Sequence, residues 1–315
     1  MNSMESFFVA LNTVMPFLIY IAFGYGVRRS GLVDEAFMKK LNKLIFRAFF
    51  PIMMFNNFYK MDSGISFNPT LIAAAVLSLF LLILLLLLVV PRMVKGNPQR
   101  GVIIQAIYRS NFVLFGIPLA THLFGDAGTL TASMLVAIVV PLYNVTAVII
   151  LELFHTKKIA PLTLVRNVFT NPLILGSVVG LFFYLLKIKL PSPLEETVTQ
   201  FASLTTPLAL FVLGGTMHFS EIHTNLKYVV PSMLAKLVFV PGIILVVATI
   251  LGFTNVERFV YFEMFAAPVA TASYAMAQNM GGDGELAAQF VVLSTVASVV
   301  TLFFWIFFMN SIGFI

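Results

Sequence analysis

Long apolar runs alternate with short polar ones along the whole chain. The apolar segments occupy residues 6–26, 40–58, 69–90, 101–124, 130–152, 167–186, 198–217, 228–251, 257–280 and 286–309. Each is close to the roughly 20 residues a helix needs to cross a hydrocarbon core of about 30 Å, so the pattern predicts ten transmembrane helices. The third is the plainest, since the stretch from Ser78 to Val90 is dominated by leucine and offers little polar beyond its backbone, the pattern of a lipid-facing helix. The polar stretches, such as 28–40 and 187–197, are only loop-length. The expected fold class is therefore all-α and integral to the membrane, with no water-soluble domain.

Basic residues orient the segments. Arg28, Arg29, Lys39 and Lys40 follow the first, Arg92, Lys95 and Arg100 the third, and Lys157, Lys158 and Arg166 the fifth. The alternate loops carry fewer: Lys60, then Lys187 and Lys189, then Arg258. Positive charge marks the cytoplasmic side, so both termini are expected outside the cell membrane. No basic residue precedes the first run, which is long enough to span, the pattern of a retained helix and not of a cleaved leader.

The segments also repeat. Pro16 and Pro51 are 35 residues apart, as are Pro172 and Pro207, and the two pairs are related by a shift of 156. Gly125-Asp126 and Gly282-Asp283 follow the fourth and ninth segments at a shift of 157, and Pro118 and Pro268 correspond more loosely at 150. The expected halves are 1–155 and 156–315. Because each holds an odd number of crossings, the second enters the membrane upside down, the inverted repeat common among carriers.

Composition removes whole classes of function. With 60% apolar and 10% charged residues, the chain lies far from soluble domains, where about a quarter of residues are charged. A net charge of +6 sits in scattered loops and reads as topology, not as a nucleic-acid surface. The absence of cysteine excludes disulfides, thiolate metal sites and a cysteine nucleophile. His122, His155, His218 and His223 lack metal-ligand spacing, and no Gly-x-x-x-x-Gly-Lys loop is present for ATP. No cofactor or metal is expected. Gly281-Gly282-Asp283 superficially resembles the motif of membrane aspartyl proteases, but Met280 replaces the glycine two before Gly282, and no apolar segment holds a second aspartate. A glycine-capped helix end explains it, and an enzyme is not expected.

In hydrocarbon, a broken helix is tolerated only where it is buried or lines a cavity, so interruptions locate a site. Segment four runs from Arg109-Ser110-Asn111 to Gly116-Ile117-Pro118, and segment nine contains Pro268-Val269-Ala270-Thr271 among small residues that let another backbone approach. If both break near the midplane and cross, each leaves a half-helix N-terminus whose free amides suit a carboxylate. Ordinary proline kinks leave the same sequence, so both readings stay open.

The stretch Ser110 to Leu119, Ser-Asn-Phe-Val-Leu-Phe-Gly-Ile-Pro-Leu, resembles helix four of the auxin efflux carrier family of plants and bacteria. The resemblance extends through Pro141-Leu142-Tyr143-Asn144 with Glu152, Thr206-Pro207 to Gly214-Gly215, and Tyr274 through Gly282-Asp283 to Ser294-Thr295. It implies the architecture of bile acid symporters and sodium/proton antiporters: helices three to five and eight to ten as transport domain, one, two, six and seven as scaffold. It also implies an elevator-type carrier of small carboxylates such as malonate, malate or auxin-like acids, with crossed broken helices four and nine. The Asn111 amide would bind the carboxylate, with Gly116, Pro118, Tyr143, Asn144, Pro268, Thr271 and Tyr274 completing the site. The family's acidic residue in helix three has no counterpart between Pro69 and Val90, so its proton-linked role does not carry over. Homodimers occur in that family; a second copy and a coupling ion, H+ or Na+, are left open.

Three charges fall inside apolar segments, where each is costly and tends to serve function. Arg109 and Lys236 lie about 13 Å from a cytoplasmic helix end at about 1.5 Å per residue, within reach of snorkelling. Glu263 precedes Pro268 by five residues and is a candidate partner for Lys236 or Arg109, or for a coupling cation. Lys40, Lys43 and Arg47 share one helix face and read as a solvated stripe. An anion channel on the same broken helices remains the alternative to a carrier.

Overall fold

The computed structural model describes residues 3–60, 68–155, 161–217 and 222–315. Lys157, Lys158 and His218 lie outside them. All the named elements are helical: α1 Ser3–Arg29, α2 Glu35–Leu44, α3 Phe50–Tyr59, α4 Pro69–Met93, α5 Asn97–Tyr108, α6 Phe112–His155, α7 Pro161–Phe169, α8 Pro172–Leu185, α9 Ser192–Thr216, α10 Ile222–Leu234, α11 Val240–Ile250, α12 Asn255–Ala266, α13 Ala272–Asn279 and α14 Gly284–Ser311. Among the described residues, five continuous stretches are each long and apolar enough to cross a membrane: Pro69–Met93, Phe112–His155, Ser192–Thr216, Asn225–Ile250 and Gly284–Ser311. The chain is a multi-pass membrane protein.

Helix boundaries follow local chemistry. The Asn68 side chain accepts from the amides of Thr70 and Leu71, with Pro69 in the first turn of α4. On α4, Leu77, Leu81, Leu84, Leu85 and Leu88 are all exposed, as the leucine run predicts for a lipid-facing helix. Lys40, Lys43 and Arg47 are likewise exposed along one stripe. Gly125, at φ 59°, takes the one non-helical conformation inside α6, so segments four and five join there through a single residue. Gly281, at φ 74°, stops α13, and the Asp283 side chain caps α14 by accepting from Leu286 N–H.

Two prolines perturb helices without breaking them. Pro51 and Pro241 each follow a π-helical segment, Ile45–Phe49 and Ala235–Phe239. A proline has no N–H to donate and pushes on the carbonyl four residues back, which leaves that carbonyl needing a partner. Four residues before Pro241 the Leu237 carbonyl accepts from Trp305 Nε1 at 3.0 Å, and beside Pro51 the Phe49 carbonyl accepts from Thr205 Oγ1 at 3.2 Å. Lipid supplies no such donor, so at Pro241 the Trp305 indole stands in for the missing amide.

The helices pack as two sets joined through α1, which also packs on α14 and α6. In one, α1 lies on α9 and α3 lies on α8 and α9. A Cβ at Gly24 would stand 1.9 Å from Phe211 O, and one at Gly214 1.9 Å from Ile21 O, so glycine on both helices permits the α1–α9 approach. In the other set α12 packs on α6, α11 and α4, and α13 on α14. Its centre is dense: every residue from Phe259 to Ala277 is buried.

Candidate functional site

Two interruptions meet inside the second set. The first lies between α5 and α6, at Arg109-Ser110-Asn111, with Arg109 extended at φ −91° and ψ 109°. The second lies between α12 and α13, from Ala267 to Thr271. They run antiparallel, pairing Ser110 with Val269. Asn111 N–H donates to Pro268 O at 2.7 Å, and Ala270 N–H to Arg109 O at 3.3 Å. Val269 N–H donates to Ser294 Oγ of α14 at 3.0 Å. Each break thus satisfies backbone groups that the other exposes, and two interrupted helices cost less together than either would alone.

This corrects the sequence reading at one point. Segment four opens at Arg109–Asn111, about two turns before Pro118, which sits inside α6 and is exposed. Gly116 is packed under the Phe112 ring. A proline's clash falls on the preceding turn of its own helix. For Pro118 that turn, at Leu114, lies within α6, so the pairing with 267–271 and not the proline decides where the chain leaves the helix.

A cavity of about 460 Å³ adjoins the crossing. One wall is the crossing itself: Arg109, Ser110, Asn111, the first turn of α6, Tyr143, Asn144 and 270–272. The first amides of α6 have no helical acceptor, whereas at the start of α13 Ser273 N–H donates to Ala270 O at 2.9 Å and Tyr274 N–H to Thr271 O at 3.3 Å. Arg109 is buried, and it donates from Nη2 to Asn144 Oδ1 at 2.6 Å and from Nη1 to Met276 Sδ at 2.7 Å. Among the described residues it has no carboxylate partner; the ion pairs there are Arg28–Glu35, Lys39–Glu35 and Lys60–Glu195. The side chain of Asn111, 8% exposed, makes no hydrogen bond to a described residue and borders the cavity. A guanidinium, helix-start amides and a free carboxamide on one wall form a donor-rich surface for an anion.

The opposite wall comes from α1, α3 and α9. Asn56, Asn57, Thr199, Ser203 and Thr206 supply its polar atoms, among Phe17, Phe50, Met53 and Met54. Thr199 Oγ1 donates to Asn56 Oδ1 at 3.4 Å. Sequence reasoning did not select these residues, although polar side chains within apolar segments two and seven were a usable signal. Of the residues it did select, Arg109, Asn111, Tyr143, Asn144 and Thr271 border the cavity. Pro268 lies at the crossing behind it, and Tyr143 also donates to Met264 O at 2.8 Å. Tyr274 is turned elsewhere, its hydroxyl 2.6 Å from Thr216 Oγ1 of α9.

The two remaining intramembrane charges lie behind the crossing. Neither Arg109 nor Lys236 snorkels: both are buried, at 3% and 1% exposure. The Lys236 ammonium donates to Ser110 Oγ and to Phe265 O, the latter at 3.0 Å. It thereby ties one interruption to the helix end preceding the other. Glu263 forms no ion pair within 4.0 Å with Lys236 or Arg109, and both its oxygens are buried without a hydrogen-bond partner among the described residues.

A family model described as "Membrane transport protein" matches the chain twice, over residues 9–159 and again over 154–306. A protein of Rhizobium meliloti (strain 1021) named "Putative malonate transporter" is 28% identical over 149 residues, spanning 46% of this chain and 45% of that relative. Together the two matches take in nearly the whole chain. The chain therefore belongs to the membrane transport protein family, that of the auxin efflux carriers its fourth and ninth segments resemble.

Proposed function

We propose that this membrane transport protein is a secondary carrier of small organic anions, with the substrate carboxylate held at the crossing by Arg109 and Asn111. The observation that carries the reading is the buried Arg109 guanidinium, facing a cavity of about 460 Å³ without an acidic partner among the described residues. A cation kept out of water usually has a counter-ion, and here an anionic substrate supplies it. Hydrogen bonds from Arg109, the Asn111 side-chain amide and the first amides of α6 then converge on one carboxylate.

The two packing sets support an elevator movement in the cytoplasmic membrane. The set built on α1, α3, α8 and α9 stays fixed, while α4 to α6 and α10 to α14 carry the anion across, and the cavity lies on their boundary. Consecutive halves 1–155 and 156–315, the second inverted, give the two sets their shared plan, and both termini face outward. Malonate is the first probe to use, because the Rhizobium meliloti relative bears that name.

The test is counterflow. Proteoliposomes preloaded with unlabelled malonate or another small dicarboxylate should accelerate uptake of the labelled anion, and uptake should saturate. Conduction that neither saturates nor responds to preloading would make the protein a channel.

A further inference from the structure

We propose that Glu263 is a proton-binding site, coupled through Lys236 to the cavity wall at Ser110. The proton site stands on the geometry alone; its coupling to transport rests on the carrier reading above.

Glu263 is fully buried on α12, one turn before the Ala267–Thr271 interruption, and neither carboxyl oxygen has a hydrogen-bond partner among the described residues. An ionised carboxyl in that position would carry an uncompensated charge costing several kcal/mol, whereas the neutral acid does not. Lys236 is the charged group that acts on it. Its ammonium is committed to Ser110 Oγ and Phe265 O. The other elements packed on α12 bring little else. α11 has no ionisable residue, and α4 has only Arg92, at its far end. On α6, Tyr143 is committed to Met264 O, His122 and Asp126 flank the Gly125 turn, and Glu152 and His155 lie at the C-terminus. On α12 itself Glu257 and Arg258 sit in the first turn, and Tyr261 meets Ser78.

Lys236 therefore stands between two competing attractions: Ser110 Oγ and Phe265 O, to which it donates, and the Glu263 carboxyl, with which it interacts electrostatically. With Glu263 protonated, the ammonium clamps the first interruption, at Ser110, to the end of α12, at Phe265. When the carboxyl O–H breaks and its proton passes to water, the carboxylate left behind attracts the ammonium away from Ser110 and Phe265. Lys236 stays charged throughout, so one proton is exchanged per cycle. Ser110 lies between Arg109 and Asn111 on the cavity wall, so loosening it alters the anion site directly.

Two measurements on the full-length protein test this. Infrared difference spectra of wild type and Glu263→Gln should show a protonated-carboxyl band near neutral pH that the variant lacks. In proteoliposomes with clamped membrane potential, one coupled proton should let wild type accumulate malonate about tenfold per unit of pH gradient. Glu263→Gln should lose that accumulation while keeping malonate counterflow, which needs no net proton movement. Identical carboxyl bands in the two proteins, or undiminished accumulation by the variant, overturn the proposal. Should Glu263→Gln fail to fold, Glu263→Asp must shift the band, and an unshifted band overturns it equally. If wild type carries neither malonate nor another small dicarboxylate in counterflow yet shows the Glu263 band, the carrier reading falls and the proton site stands.

Discussion

The two interruptions differ in how their sequences produce them. At Ala267–Thr271 a proline stands inside the break, and Pro268 supplies the bare carbonyl that Asn111 N–H takes at 2.7 Å. At Arg109–Asn111 there is no proline or glycine, and Pro118 lies downstream within α6. One helix is broken by its own residue and the other by its partner. The second kind of break leaves its three residues free to carry side chains, and these are an arginine, a serine and an asparagine beside the cavity. A proline-driven break fixes backbone; a partner-driven break also leaves room for binding chemistry.

The largest test of that comparison is Arg109→Gln. Charge-assisted hydrogen bonds are worth about 1.5–3 kcal/mol, so the initial rate of labelled malonate uptake should fall roughly 10- to 100-fold, with the protein still monodisperse on gel filtration. Wild-type rates would remove the guanidinium from anion binding. Asn111→Ala comes next: it deletes one neutral donor worth about 1 kcal/mol and should raise the apparent Km roughly fivefold with little change in maximal rate. An unchanged Km would leave the first interruption with only its arginine.

Pro268→Ala addresses the second interruption. Alanine restores an N–H and favours continuation of α12, which competes with the pairing to Asn111; uptake should drop several-fold, and the melting temperature by a few degrees. Pro118→Ala should have the smallest effect, within about twofold in uptake, since the break it was expected to cause lies elsewhere. If Pro118→Ala proved as damaging as Pro268→Ala, the two breaks would be alike after all.

The second wall of the cavity shows why part of the site was hard to read. Thr199 and Asn56 are 143 residues apart and meet only because α3 and α9 pack together. Arg109 and Asn144 are 35 apart, across the reversal at Gly125. Neither pairing leaves a periodic trace in the chain. Asn111, by contrast, was legible from its place in a family motif, and Pro268 from its chemistry.

Hydropathy and charge by themselves determined that this is a multi-pass membrane protein with a leucine-rich lipid face on α4, because transfer out of water is decided residue by residue over a window of about 20. Proline and glycine chemistry, equally local, marked the break at Pro268 and the stops at Gly125 and Gly281. Only the tertiary structure decided that segment four opens at Arg109–Asn111, that Lys236 ties Ser110 to Phe265, and that Glu263 is left without a hydrogen-bond partner among the described residues. Those outcomes depend on which distant segment satisfies each buried polar group, and that is a property of packing, not of any single stretch of chain.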